Sequence, residues 1–243
     1  ICYGYSSGMR TKESSIVALA VLPLFWILSC GQMSEPEEIP APSISSEAIE
    51  DLLSSAFVVE GLACQRKAIG SGIAVEAGIL TNAHVVAGTD ELHVIDRNGD
   101  QHLANIVAFD PQTDLALLHV DGLNPPALPI ALPTKGAYGV ALVGGDGQVK
   151  AIPANIDRVV DINIADIYGE GEYQRKGMQL EADISPGDSG GAIIDSSGSV
   201  VGLVFSRSNN TDGVSYAVSS EEFSLVTREI SPNGANNGEC LRR

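Results

Sequence analysis

Ser185-Pro186-Gly187-Asp188-Ser189-Gly190-Gly191-Ala192-Ile193-Ile194 is a glycine-framed turn that runs straight into a short apolar, β-branched segment. A serine set between glycines at such a bend is exposed to other molecules and has room around it. Its hydroxyl is a weak nucleophile on its own and needs a base within hydrogen-bonding reach. Working outward, Thr81-Asn82-Ala83-His84-Val85-Val86 supplies a histidine beside an apolar run. Asp110-Pro111-Gln112-Thr113-Asp114-Leu115-Ala116-Leu117-Leu118 supplies an acid at the mouth of a strand. The order His, Asp, Ser is one of those in which nucleophile, base and orienting acid recur.

Each residue has a physical role to fill. The His84 imidazole is suited to accepting a proton from Ser189 and returning it later. Asp114 would hold the other ring nitrogen and stabilise the imidazolium. Asp110 is the rival acid, but it precedes Pro111 in a turn, whereas Asp114 leads directly into Leu115-Ala116-Leu117-Leu118, so Asp114 is preferred. Gly187 allows a turn that aims the backbone amides of Gly187, Asp188 and Ser189 at a developing oxyanion; losing one such donor typically slows catalysis ~100- to 1000-fold. His93, His102 and His119 sit alone in strand-like runs and are read as structural.

From Phe57 onward the chain is a series of short β-rich runs separated by Gly, Asp, Asn and Pro. The clearest are 72–80, 91–95, 101–109, 115–120, 140–143, 151–160, 179–184, 191–194, 200–206 and 214–218. Asp96-Arg97-Asn98-Gly99 and Ser196-Ser197-Gly198 are hairpin turns. This spacing predicts a β-barrel or sandwich, not alternating βαβ units. A short N-terminal helix is expected from Ser46, with Ile49, Leu52 and Leu53 as its apolar stripe. A closing helix is expected over 221–229, capped by Ser219 or Ser220. The 26 glycines and 5% aromatics of the 243 residues suit a turn-rich β protein better than a helical bundle.

A formal charge of −17 repels phosphate backbones and argues against nucleic-acid partners. Residues 1–30 read as upstream residues plus a secretory signal: Arg10 and Lys12, an apolar run from Ile16 to Leu28, then Ser29-Cys30-Gly31. Ile27-Leu28-Ser29-Cys30 is similar to a bacterial lipobox, making Cys30 the lipidation candidate; an uncleaved anchor and free secretion are the alternatives. Residues 31–46, rich in Pro, Glu and Ser, read as a solvated linker, and 47–243 as the folded domain with a polar tail held through Cys240. Export permits disulfides. Cys64 and Cys240 are then expected to pair, two unrelated thiols being the alternative. Four scattered cysteines do not form a zinc site, so neither metal nor organic cofactor is implied.

The motifs TNAHVV, DPQTDLALL and SPGDSGGAI, with Gly70-Ser71-Gly72 upstream, resemble the trypsin-like serine proteases of the HtrA/Deg branch. The HtrA members usually carry Asn before the nucleophile, where this chain has Asp188. The sequence is more similar to the MarP family of membrane-bound acid-resistance serine proteases. That family shares the Asp, a segment like Ala165-Asp166-Ile167-Tyr168-Gly169 and a cysteine flanking each end of the domain. The resemblance implies an all-β, chymotrypsin-like double six-stranded barrel with the cleft between barrels. It implies a His84–Asp114–Ser189 triad, an oxyanion hole from the Gly187 and Ser189 amides and a Cys64–Cys240 disulfide. The implied reaction is peptide-bond hydrolysis on protein substrates of the cell envelope. Location outside the cytoplasm, with the chain held to the membrane by its N-terminal lipid or anchor, is the expectation from residues 1–30, since that family has several membrane spans and this chain at most one short apolar segment. A non-catalytic peptide-binding or chaperone-like module on the same fold is the alternative, and an esterase fits the nucleophile but not the β-rich pattern. Asp183 lies six residues before Ser189, where trypsin-like enzymes place the acid that binds Arg or Lys; the competing expectation is that Asp183 is a surface strand residue or pairs internally with Arg207. Asp188 needs a partner, for which Arg66, Lys67 and backbone amides of a neighbouring loop are the candidates.

Overall fold

Ser45 opens the fold by capping α1 (Ser46–Leu52): its side chain accepts from the Ala48 amide at 3.2 Å, one residue earlier than expected. The computed structural model describes residues 44–228 and 230–241. The signal segment, Cys30 and nearly all of the linker therefore lie outside the described residues.

The first sheet contains β1 (Ala56–Ala63), β2 (Arg66–Val75), β3 (Gly78–Thr81), β4 (Thr89–Ile95), β5 (Gln101–Leu103), β6 (Asn105–Asp110) and β7 (Leu115–His119). A one-turn helix, α2 (Ala83–Val86), interrupts it after β3. The order is β5-β4-β1-β2-β3-β7-β6, a curled seven-stranded sheet. The second sheet contains β8 (Tyr138–Val143), β9 (Lys150–Ile164), β10 (Tyr173–Glu181), β11 (Ala192–Asp195), β12 (Val200–Arg207) and β13 (Val214–Ser219). Its order, β10-β13-β12-β11-β8-β9, closes into a barrel. A 3₁₀ turn (Ser220–Glu222) leads into α3 (Phe223–Arg228), and Ser219 caps the turn by accepting from Glu221 N–H. This is the all-β, chymotrypsin-like double-barrel architecture, with few helices.

The first sheet has seven strands instead of six because the run 101–109 breaks in two. Ala104 turns its amide to the Leu92 carbonyl at 2.9 Å, which ends β5 and starts β6. The run 72–80 likewise folds back on itself as the β2–β3 hairpin. At the β4–β5 turn, Gly99 takes the left-handed conformation its sequence demands, with φ 89°.

Successive residues of the central strands enter different cores. On β7, Leu115 and Leu117 pack into a layer shared by the two sheets, while Ala116 and Leu118 fill the first sheet's interior. On β8, Val140 and Leu142 join the shared layer, while Ala141 and Val143 fill the second barrel. Both faces of these strands are thus dry, which explains runs that are apolar throughout instead of alternating. Leu52 and Leu53 from the N-terminal helical segment and Phe223 and Val226 from α3 cover the shared layer. The two barrels are fused through this layer.

The tail is held by more than Cys240. Ser231 and Ala235 amides donate to Val107 and Ile106 carbonyls, each at 2.7 Å. The Asn237 amide side chain donates to the Thr89 carbonyl at 2.8 Å, and the Gly88 amide donates to the Asn237 carbonyl at 3.1 Å. A polar segment with no apolar stripe is therefore fastened by main-chain groups that sequence patterning does not weigh. Cys64 and Cys240, 176 positions apart in the sequence, are joined as a disulfide.

Candidate active site

His84 owes its position to its neighbours. Val85 and Val86 are buried in the first sheet's interior, which turns the His84 side chain outward, 22% exposed. Asp114 lies at the turn before β7 with its side chain only 5% exposed. Its Oδ2 is 2.8 Å and its Oδ1 3.0 Å from His84 Nδ1, and Oδ1 also accepts the His84 backbone N–H at 2.9 Å. With Asp114 ionised, Nδ1 is the donor of this pair, and Nε2 makes no hydrogen bond among the described residues. Asp114 is held at φ 60°, an uncommon conformation for a residue with a side chain. Asn82 helps hold it by donating to the Asp114 carbonyl at 2.9 Å. Asp110 takes no part: its carboxylate accepts from the Gln112 amide and the Thr113 hydroxyl, closing its own turn.

Ser189 comes from the second barrel and reaches the first through its own backbone. Its carbonyl accepts from the Ser71 amide on β2 at 2.7 Å. Gly70 lies between Val85 and Ser189: a Cβ there would stand 2.5 Å from a Val85 methyl and 3.0 Å from the Ser189 carbonyl. Gly190, at φ 85°, is packed against the Ser71 carbonyl and the Thr81 hydroxyl. No hydrogen bond joins the Ser189 hydroxyl to His84 among the described residues. Such a contact commonly tightens only with substrate bound.

The turn before Ser189 leaves two of its backbone amides without a protein partner. Gly187 has φ 97°, and among the described residues the Gly187 and Ser189 amides donate to no protein acceptor. The Asp188 amide, expected in the same hole, donates instead to the Ser185 carbonyl at 3.0 Å, because the chain closes a tight turn there. Asp188 is 2% exposed, and its carboxylate accepts from the Ser185 amide at 2.8 Å and the Gly145 amide at 3.2 Å. The satisfied partners are backbone amides; Arg66 and Lys67 make no hydrogen bond to it.

Asp183 is not at a pocket floor. Ala182 and Ile184 on either side are buried at 6% and 4% exposure, so alternation turns Asp183 to solvent. With Arg207 it borders a small cavity of about 100 Å³ that neither Gly187 nor Ser189 lines, and the two side chains form no ion pair. His93, His102 and His119 make only peripheral contacts, to Glu91, Asp96 and Asp121. Among the described residues no cluster of three or more His, Cys, Asp or Glu is arranged to hold a metal.

The sequence assigns no role to two residues that bind the site together. Ser71 donates from its amide to Ser189 and accepts the Gly144 amide on its hydroxyl at 2.8 Å, so it links both barrels. Arg175 on β10 is 4% exposed, lies 5.1 Å over the Phe205 ring and donates to the Gln112 carbonyl at 3.2 Å. Burial pulls the guanidinium below its ordinary pKa, while Asp114, Glu222 and Asp110 draw it back up. The neighbouring Lys176 is 43% exposed and pairs with Asp161 on the surface. Nothing in Gln174-Arg175-Lys176 says which of the two cations turns inward.

Two antiparallel sheets fused through a shared apolar layer, with a histidine from one and a glycine-framed serine from the other, are the architecture of trypsin-like serine endopeptidases. The trypsin-like peptidase domain family matches residues 70–203, and the chain belongs to it. Serine protease Rv3671c of Mycobacterium tuberculosis (strain H37Rv) is 39% identical over 148 residues, covering 58% of this chain and 37% of that protein. A probable periplasmic serine endoprotease, DegP-like, of Marinomonas sp. (strain MWYL1) is 30% identical over 180 residues, covering 70% of this chain and 37% of the relative. The chain thus spans little more than a third of the curated relatives it matches. The crystal structure of the Rv3671c protease from M. tuberculosis in its active form superposes with a TM-score of 0.75 at 29% identity, covering 92% of this chain and all of that one. The HtrA-type protease AlgW, solved with a tripeptide, gives a TM-score of 0.64 at 26% identity over 74% of this chain and 61% of its own.

Proposed function

We propose that this protein is an extracytoplasmic serine endopeptidase that cleaves protein substrates through Ser189, His84 and Asp114. The observations that support the reading are the doubly held His84 Nδ1 on Asp114 and a Ser189 turn that keeps the Gly187 and Ser189 amides unengaged. Ser189 Oγ attacks the scissile carbonyl carbon while His84 Nε2 takes its proton. The carbonyl oxygen becomes an oxyanion in reach of the two free amides. His84 then gives the proton to the departing amine as the C–N bond breaks, leaving an ester on Ser189. Water, deprotonated by His84, hydrolyses that ester and restores the hydroxyl.

The site outside the cytoplasm rests on the periplasmic naming of DegP-like relatives and on the N-terminal signal-like stretch. Membrane attachment through Cys30 or an uncleaved apolar segment belongs to the same proposal. Among the described residues no helix is long and apolar enough to cross a membrane. The test is labelling with a fluorophosphonate probe together with hydrolysis of an unfolded protein. Both should be present in the wild type and absent in Ser189→Ala. Peptide binding without labelling or turnover would replace the reading with a non-catalytic binding module.

A further inference from the structure

We infer that the cavity beside His84 receives the substrate residues that follow the scissile bond, and that Arg66 and Lys67 make it select acidic side chains there. The inference rests on the proposed catalytic reading. In that reading His84 protonates the departing amine, so the residues carrying that amine must leave past the imidazole. The cavity that His84 lines has a volume of about 550 Å³, enough for one or two side chains.

Its mouth is built rigidly. Cys64 and Gln65 form the β1–β2 turn with φ 47° and 65°, a left-handed pair that suits a tight hairpin. Ala63 pairs with Arg66 and Leu62 with Lys67, so both cations stand on the first residues of β2. The Cys64–Cys240 disulfide closes the facing wall. The hairpin is thereby held from both ends of the chain's fold.

The charge is unusual for its surroundings. The chain carries 31 acidic and 14 basic side chains, yet Arg66 and Lys67 line this cavity and, among the described residues, no acidic one does. Lys67 is partly neutralised by Glu60 at 2.7 Å. Arg66 forms no ion pair among the described residues, and Asp188 is satisfied elsewhere. An exposed guanidinium is fitted to grip a carboxylate through two parallel hydrogen bonds. Against an acidic surface that repels acidic peptides, this cavity is where a carboxylate finds local attraction.

The test uses the whole protein and three quenched fluorescent peptides. They are identical except for the two residues after the scissile bond: Asp-Glu, Asn-Gln or Lys-Lys. Wild type should cleave the acidic peptide with a kcat/KM roughly fivefold above the neutral one, the upper range for an exposed ion pair, and the basic peptide least. Raising the salt to several hundred millimolar should shrink that ratio towards one. In Arg66→Glu/Lys67→Glu the acidic-to-neutral ratio should fall below one. Equal rates on the three peptides, or an unchanged ratio in the double variant, would overturn the subsite. Cleavage of the neutral peptide that vanishes in Ser189→Ala reports separately on the catalytic reading; no such cleavage would sink both.

Discussion

The Ser71 amide donates to the Ser189 carbonyl at 2.7 Å, so a main-chain hydrogen bond ties the nucleophile candidate to the opposite barrel. The same serine accepts the Gly144 amide on its hydroxyl. Ser71→Ala keeps the first bond and breaks the second, leaving a buried N–H unpaired. The expected cost is about 1–3 kcal/mol of stability. Urea denaturation should show it as a lower midpoint with an unchanged slope, and an unaltered midpoint would contradict the linking role.

His84→Ala and Ser189→Ala should each abolish hydrolysis while the circular dichroism spectrum stays that of the wild type. Because the groups act as a unit, the double variant should be no slower than either single one. Additive losses in steady-state kinetics would argue against shared chemistry.

Arg175 braces the turn that holds Asp114. Arg175→Met should lower kcat about tenfold, as a misplaced turn costs orientation more than binding. Arg175→Lys should not restore it, since only a planar guanidinium both stacks on Phe205 and reaches Gln112. Kinetics normalised to folded protein by active-site titration separate this from lost stability. Full rescue by lysine would show that charge alone suffices.

Asp188 has both carboxylate oxygens satisfied by amides of its own chain. A form starting at Pro40, with a tag that is never removed, should therefore be fully active. Activity that emerges only on trimming would mean a new N-terminus completes the site. Asp188→Ala should strand the Ser185 and Gly145 amides, and the loss should fall mainly on kcat, by about 100-fold or more, if the hole collapses.

The disulfide encloses 176 residues of sequence separation, and the chain-entropy relation puts its contribution at roughly 5 kcal/mol as an upper figure. Cys64→Ser/Cys240→Ser should unfold at lower temperature yet keep its tail near β6, because Ser231 and Ala235 still bond Val107 and Ile106. Hydrogen exchange at the Ala235 amide checks the second half of this statement.

Most strands were legible in the sequence, as was the meeting of His84 with Asp114. These depend on local pattern and on an acid placed at a strand mouth. What escaped depends on main-chain geometry. β1 was not among the clear runs, although Val58 and Val59 are fully buried, because its burial fades along its length instead of alternating. The break at Ala104 is a single amide turning to Leu92. The Asp188 amide was assigned to the hole, but the sequence does not show that Ser185 already accepts it. Arg175 and Asp183 show the same limit from opposite sides: one polar residue turned in, the other turned out.

Strands that are apolar on both faces have a further consequence for how the chain finds its pairing. A one-residue slip of β8 along β11 would exchange one greasy face for another, so hydrophobicity alone discriminates poorly between alignments. Glycines supply the missing discrimination. Gly139 faces the Ile194 carbonyl, and Gly202 faces the Val218 carbonyl, with no space for a side chain at either crossing. Only one alignment brings a residue without a Cβ to each of these points. The barrel's register is therefore encoded less by what its strands bury than by where they carry nothing.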